Sequence, residues 1–217
     1  MSTTRRVVLS MAISPQWSPY KRLRIDLAPT HPVDQAGDGF HHARPMTPIT
    51  VLAPTGTLGY GFGADALKRG MDFKPGVIAV DAGSTDPGPH YLGSGEVLVS
   101  RFSYKKELTE LMAASRAAGI PLVVGSAGGS GSRPHVDFLV EIVREVARDL
   151  RLNRFKLAWI YADIEPARIK KAIAAGEVKD FEAGFALTAD LVDSSTHIVA
   201  QMGFEPIIKA LRSGADV

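Results

Sequence analysis

The chain has 217 residues, of which 45% are apolar and 22% charged, as in an ordinary globular protein with one core. A formal net charge of +2 is too small to predict a nucleic-acid partner. The lack of cysteine excludes disulfides, thiolate nucleophiles and thiolate metal sites. No apolar run reaches the roughly 20 residues that a membrane helix needs. We therefore predict a cytoplasmic protein with no membrane partner.

Residues 1 to 45 mix Arg, Ser, Pro and His and show no sustained hydrophobic period. Such a composition adds little to a core, so we predict a disordered extension, or an upstream start codon, before a domain that spans residues 46 to 217. The Arg5-Arg6 pair is similar to a twin-arginine signal, and the acid-poor start suits a transit peptide. However, the apolar part is short and no small-residue cleavage site follows it clearly.

From residue 47 onward, short apolar runs alternate with amphipathic segments. The pattern predicts strands over residues 49–53, 77–80, 121–124 and 155–161, and helices over 64–73, 103–118, 134–150, 165–175, 196–203 and 206–212. Strands that alternate with helices imply parallel pairing, so the predicted fold class is α/β, a doubly wound, mainly parallel sheet flanked by helices. Residues 213 to 217 read as the approach to another strand, which predicts a sheet truncated at the C-terminus.

The loop after the second predicted strand carries the densest group of reactive side chains. Its glycines and prolines predict a rigid loop, and a loop at the end of a buried strand is where an α/β protein keeps its site. Asp81, Asp86 and His90 are the candidate catalytic residues, because a carboxylate and an imidazole can form an acid/base pair. Ser84 and Thr85 are candidate ligand-binding residues, and as nucleophiles they lack a G-x-S-x-G setting.

A divalent metal is the alternative for the same loop. Asp81, Asp86 and His90 could bind it together with His135, Asp163 or Glu165 from neighbouring loops. Parallel strands bring their C-terminal ends to one edge of the sheet. We therefore expect residues 55–63, 81–95, 125–135 and 161–165 to converge there.

Two of these stretches are rich in glycine. The first begins with Thr55 and Gly56, both candidate ligand-binding residues, but its glycine spacing does not fit the dinucleotide pattern G-x-G-x-x-G. The second leads directly into a helix, where backbone N–H groups can bind a carboxylate, a phosphate or a coenzyme A diphosphate. It lacks the lysine of a P-loop. Its candidate anion-binding residues are Ser126, Gly128, Gly129, Ser130 and Arg133.

Residues 79–89 (AVDAGSTDPGP) and 119–129 (GIPLVVGSAGG), supported by 142–148 and 214–217, are similar to the acyclic terpene utilisation (AtuA-like) family. The resemblance covers residues 46 to 217. It implies the N-terminal portion of a longer protein that continues the sheet and that often has a small ferredoxin-like domain, fused or separate. The family name derives from bacterial degradation of citronellol- and geraniol-type compounds.

The leading functional prediction is a catabolic enzyme, or a fragment of one, that acts on a small organic acid or acyl-coenzyme A. The chemistry would be acid/base or metal-assisted, of a lyase or hydratase type. A coenzyme A thioester and a divalent metal are the candidate cofactors. One alternative is a non-catalytic subunit that binds a small acid or scaffolds a partner, and the expected partners are a second copy of the chain or a small ferredoxin-like domain. A further alternative is a nucleotide-binding oxidoreductase.

Overall fold

The computed structural model describes residues 49–84, 87–152, 155–178, 186–200 and 203–217, so the predicted N-terminal extension lies outside the described residues. Its sheet has three parallel strands in the order β1 (Val51–Leu52), β2 (Val77–Asp81) and β3 (Leu122–Gly125). The central strand β2 pairs with β1 on one side and with β3 on the other. The predicted α/β class with parallel pairing is confirmed, whereas the doubly wound arrangement and its truncation remain predictions.

Seven helices accompany the sheet within the described residues. They are α1 (Ala64–Asp72), α2 (Gly88–Ser94), α3 (Arg101–Ala118), α4 (Arg133–Asp149), α5 (Pro166–Ala174), α6 (Ala189–Ser194) and α7 (Glu205–Arg212). A short 3₁₀ turn, Ala127–Gly129, follows β3. The longest helix, α3, begins where the Ser100 hydroxyl accepts a hydrogen bond from the N–H of Ser103, and it ends at Gly119 with φ of 65°.

The core lies between the sheet and the helices α3 and α4, which also pack against each other. Ile78 and Val80 of β2 alternate with less buried neighbours, as expected of a strand covered mainly on one face. On α3 and α4 the fully or almost fully buried side chains recur every three or four residues. Helices and sheet are therefore held together by the apolar stripes that the sequence pattern predicts.

The prediction of a strand over residues 155 to 161 is wrong. This segment makes single hydrogen bonds to the C-terminal residues instead of a ladder: Asp216 N–H donates to the Lys156 carbonyl (2.7 Å), and Ala158 N–H donates to that of Val217 (2.8 Å). The same C-terminal residues also contact the sheet, because Leu122 N–H of β3 donates to the Asp216 carbonyl (2.9 Å). Residues 216 and 217 thus form hydrogen bonds with both β3 and this segment.

Two further segments differ from their predictions. Residues 196–200, the described part of the helix predicted over 196–203, are not helical: Ile164 N–H donates to the Ile198 carbonyl (2.9 Å), and Val199 forms an antiparallel bridge with Asp163. Residues 201 and 202 of that prediction lie outside the described residues. Residues 88–94 form the helix α2 where a loop was predicted, since Pro89 in its first turn needs no N–H partner and Gly95 ends it with φ of 76°. Among the described helices, none combines the length and apolar character needed to cross a bilayer.

Candidate functional site

The C-terminal ends of β2 and β3 lie side by side and mark the candidate site. Asp81, the last residue of β2, is in register with Gly125, the last residue of β3. The first glycine-rich loop joins them there, because Leu58 N–H donates to the Asp81 carbonyl at 2.7 Å. Three of the four stretches expected at this edge are therefore adjacent.

Close backbone packing brings the remaining loops to the same place. A methyl group built on Gly83 would lie 2.6 Å from both the Gly129 carbonyl oxygen and the Ser126 Cβ, so only glycine fits between the two loops. The fourth stretch is attached through the N–H of Ala162, which donates to the Gly131 carbonyl at 2.8 Å. The predicted convergence of four stretches is confirmed.

Asp81 presents its carboxylate to solvent at the centre of this edge. One carboxylate oxygen accepts the N–H of Gly83 at 3.0 Å, and the residue as a whole is exposed. His90 lies on α2, also exposed, with its ring edge-on to that of Tyr91 at a centroid distance of 5.1 Å. Ser84 is half-buried. Thr85 and Asp86 lie outside the described residues.

A hydrogen bond at this edge joins the side chains of Ser130 and His135. The His135 side chain is completely buried, with Nδ1 at 2.8 Å from the Ser130 hydroxyl and Nε2 at 2.7 Å from the Glu96 carbonyl oxygen. A carbonyl can only accept a hydrogen bond, so Nε2 carries the proton of the neutral ring and Nδ1 is the acceptor. The Ser130 hydroxyl consequently donates its single proton to Nδ1, and the Ser132 hydroxyl, 3.0 Å away, donates to the Ser130 oxygen. The Ser130 oxygen also accepts the N–H of Ser132 at 3.2 Å.

Burial lowers the pKa of His135 below its ordinary value, since the charged imidazolium loses its hydration in the core. The hydrogen bond to the Glu96 carbonyl opposes this effect, as does the negative charge of Asp163, whereas His197 reinforces it. The imidazole is therefore neutral at neutral pH and keeps a lone pair on Nδ1 for the serine proton.

The first turn of α4 already binds a carboxylate from the protein itself. Arg133 N–H donates to Asp163 at 2.7 Å, and the Arg133 guanidinium lies over the Tyr161 ring at 4.2 Å from its centroid. The Tyr161 hydroxyl in turn donates to Asp137 at 2.6 Å. A ligand anion at this helix end would have to share the N–H groups with Asp163.

An internal carboxylate also holds the first glycine-rich loop. Glu107 of α3 is only 5% exposed and accepts the N–H groups of Gly59 and Gly61, each at 2.7 Å. The Thr55 hydroxyl donates to the carbonyl two residues further on at 3.2 Å, and Gly56 is exposed. Because a side chain occupies the N–H groups that would otherwise face a phosphate, this geometry favours a structural turn over a dinucleotide site.

The candidate metal ligands do not assemble into a coordination site within the described residues, which contain no group of three or more His, Asp or Glu side chains suited to a metal ion. Both ring nitrogens of His135 have hydrogen-bond partners, and the Asp163 carboxylate accepts the N–H of Arg133. Asp86, another candidate ligand, lies outside the described residues.

Two polar residues of α3 were missed by the sequence reasoning. Tyr104 is fully buried, and its hydroxyl donates to the Ala82 carbonyl at 3.2 Å beside the Asp81 loop. Burial raises the pKa of Tyr104 to about 12, and Asp81 and Glu107 add to this by their charge. The sequence did contain a signal for these two residues, because Tyr104 and Glu107 fall on the apolar stripe of the helix. A charged side chain in such a position is buried and needs a hydrogen-bond partner.

Comparisons with known proteins place the chain in a family. Neither a search of curated proteins nor one of solved structures returned a match. The sequence profile described as "Acyclic terpene utilisation family protein AtuA" matches residues 101–217, from the start of α3 onward and over more than half of the chain. The match includes the Ser130–His135 pair and the helix α4. The chain belongs to the acyclic terpene utilisation family AtuA.

Proposed function

We propose that this chain is an enzyme domain of catabolism that acts on a small organic acid or on its acyl-coenzyme A thioester. The observation that carries this proposal is the exposed Asp81 carboxylate at the C-terminal end of the central strand. It stands beside a glycine-lined loop, the usual place for a ligand in an open α/β sheet. The family description, acyclic terpene utilisation, supports our choice of acyclic terpene acids as the substrate class to test.

In this proposal Asp81 is the general base and His90 supplies or removes a second proton, as a lyase or hydratase requires. Exposure leaves both side chains accessible to a substrate. The glycine-rich loop after β3 binds the carboxylate or thioester end through backbone N–H groups, with the Ser126 and Ser130 hydroxyls beside it. Asp86 remains a candidate for the same chemistry.

Turnover assays on Asp81→Asn and His90→Ala test this assignment. The substrates would be branched, unsaturated acids and their coenzyme A thioesters, followed by mass spectrometry. Each variant should lose roughly 100-fold or more in kcat/KM, as expected when a general acid or base is removed. Asp72→Asn is the matched control, because Asp72 is exposed at the end of α1. Undiminished turnover by both site variants would contradict the proposal.

A non-catalytic scaffolding subunit is the second candidate. Within the described residues β1 lies at the edge of the sheet, and apolar side chains are exposed on it, just before it and at the end of α1: Ile49 is 72%, Val51 49% and Phe73 67% accessible. Exposed apolar residues on an edge strand favour association with a further chain. Light scattering after size exclusion decides between association and a monomer, and a monomer at micromolar concentration would argue against this candidate.

A further inference from the structure

The Ser130–His135 pair has a reactive geometry that the proposed roles of Asp81 and His90 do not use. A serine hydroxyl becomes a nucleophile when a neutral imidazole within hydrogen-bond reach can take its proton. The distance of 2.8 Å from the Ser130 oxygen to Nδ1 lies within that reach. Ser130 itself is half-buried, so the pair combines a partly accessible hydroxyl with a base that is shielded from water.

A third group orients the base. In serine hydrolases, the ring nitrogen remote from the serine donates to a partner that fixes the tautomer. Here the Glu96 carbonyl has that role, at 2.7 Å from Nε2. The tight contact of the turn with α4 adds rigidity, because a methyl group on Gly128 would lie 2.3 Å from the His135 carbonyl oxygen. Nucleophile, base and orienting group are thus held by three different parts of the chain.

We propose that Ser130, activated by His135, is a nucleophile that accepts an acyl group from a thioester or ester. The Ser130 oxygen attacks the carbonyl carbon while its proton moves to Nδ1. The bond from carbon to sulfur or oxygen then breaks, and the leaving group takes that proton. Water next attacks the acyl-serine, gives one proton back to the serine oxygen through His135, and releases the free acid.

The position of Ser130 agrees with this role. Its loop touches the Asp81 loop at Gly83 and lies at the edge of the sheet where the chain's polar loops meet. The inference rests on the proposed function for its choice of an acyl substrate, whereas the reactivity of Ser130 can be measured without any substrate.

A fluorophosphonate probe tests the nucleophile directly, because it phosphonylates activated serines. The intact mass of the wild-type protein should increase by one adduct, and peptide mapping should place the adduct on Ser130. Ser130→Ala should abolish labelling, and His135→Gln should slow it by roughly 100-fold or more. Ser213→Ala, an exposed serine at the end of α7, should label like the wild type. No adduct on Ser130, or equal labelling of His135→Gln, would overturn the inference.

A second variant keeps the test decisive if His135→Gln does not fold. The chain has no cysteine, so Ser130→Cys would carry its only thiol. The pH midpoint of alkylation by iodoacetamide should fall below about 8.5 in Ser130→Cys, because the thiol pairs with the imidazole. The control variant Ser213→Cys should show the ordinary thiol value of about 8.5. A midpoint at or above that of Ser213→Cys would overturn the inference.

The two proposals fail in different ways. If acyl thioesters are turned over and Ser130→Ala retains full activity, Ser130 is not the nucleophile and the proposed function stands. If Ser130 reacts with the probe as predicted but no thioester or acid is turned over, the proposed function fails and the reactive pair stands.

Discussion

Replacing Glu107 by alanine should destabilise the protein strongly, because two backbone N–H groups would lose their acceptor. The carboxylate is 5% exposed, and both of its hydrogen bonds, to Gly59 and Gly61, measure 2.7 Å. A hydrogen bond to a charged group contributes about 1.5–3 kcal/mol, so the two together predict a loss of roughly 3–6 kcal/mol. Such a loss is a large fraction of the free energy of unfolding of an ordinary domain.

Urea denaturation followed by circular dichroism measures this loss. With a slope of about 2 kcal/mol/M, the midpoint should fall by roughly 1.5–3 M. Glu110→Ala is the matched control, since Glu110 lies on the same helix and has no hydrogen bond or ion pair within the described residues. It should change stability by about 0.5 kcal/mol or less. If Glu107→Ala cost less than about 1 kcal/mol, the carboxylate would not be what holds the glycine-rich turn.

Three further predictions concern stability. Asp216→Ala should cost roughly 2 kcal/mol in urea denaturation, because it removes the partly buried ion pair with Arg116 and the acceptor of the Lys156 N–H; an unchanged midpoint would refute this. Gly128→Ala should lower the melting temperature clearly, since the residue has φ of +69° and no room for a methyl group beside His135, and an unchanged melting temperature would contradict that geometry. His135 is neutral when folded and its pKa is lowered, so the unfolded chain binds the extra proton and stability should fall as the pH drops below about 6.5. This decline in stability should be smaller in His135→Gln than in the wild type. An equal decline in both proteins would mean that other titrating groups cause it.

Local pattern was enough to predict the central part of the fold. The β-branched run of β2 and the apolar stripes of α3 and α4 specify their own burial, and Gly119 ends α3 as its position predicts. The segment 155–161 has the same apolar character yet forms no strand. Its hydrogen bonds depend on Asp216, which is 60 residues away along the chain from Lys156. A partner at that distance cannot be predicted from the local sequence pattern.

The location of the candidate site was predictable for the same reason, because parallel strands must end at one edge. Its internal hydrogen bonds were not. Glu107 reaches a glycine turn 46 to 48 residues away, and the Nε2 of His135 meets a carbonyl 39 residues away. Ser130 and His135 are only five residues apart, but their pairing depends on the bend between the 3₁₀ turn and α4. The sequence therefore shows which residues have reactive side chains, whereas the hydrogen bonds between them can be identified only from the folded structure.

The hydrogen bonds of residues 216 and 217 have a consequence for how the chain folds during synthesis. Leu122 N–H and the Lys156 carbonyl are both satisfied by Asp216, whose side chain pairs with Arg116 across 100 residues of sequence. At about 5–20 residues per second, a ribosome needs roughly 3–12 s to make the 60 residues that separate Lys156 from Asp216. During that interval the edge of β3 and the segment 155–161 have no partner from residues 216 and 217, so nascent chains expose unpaired backbone beside an apolar core.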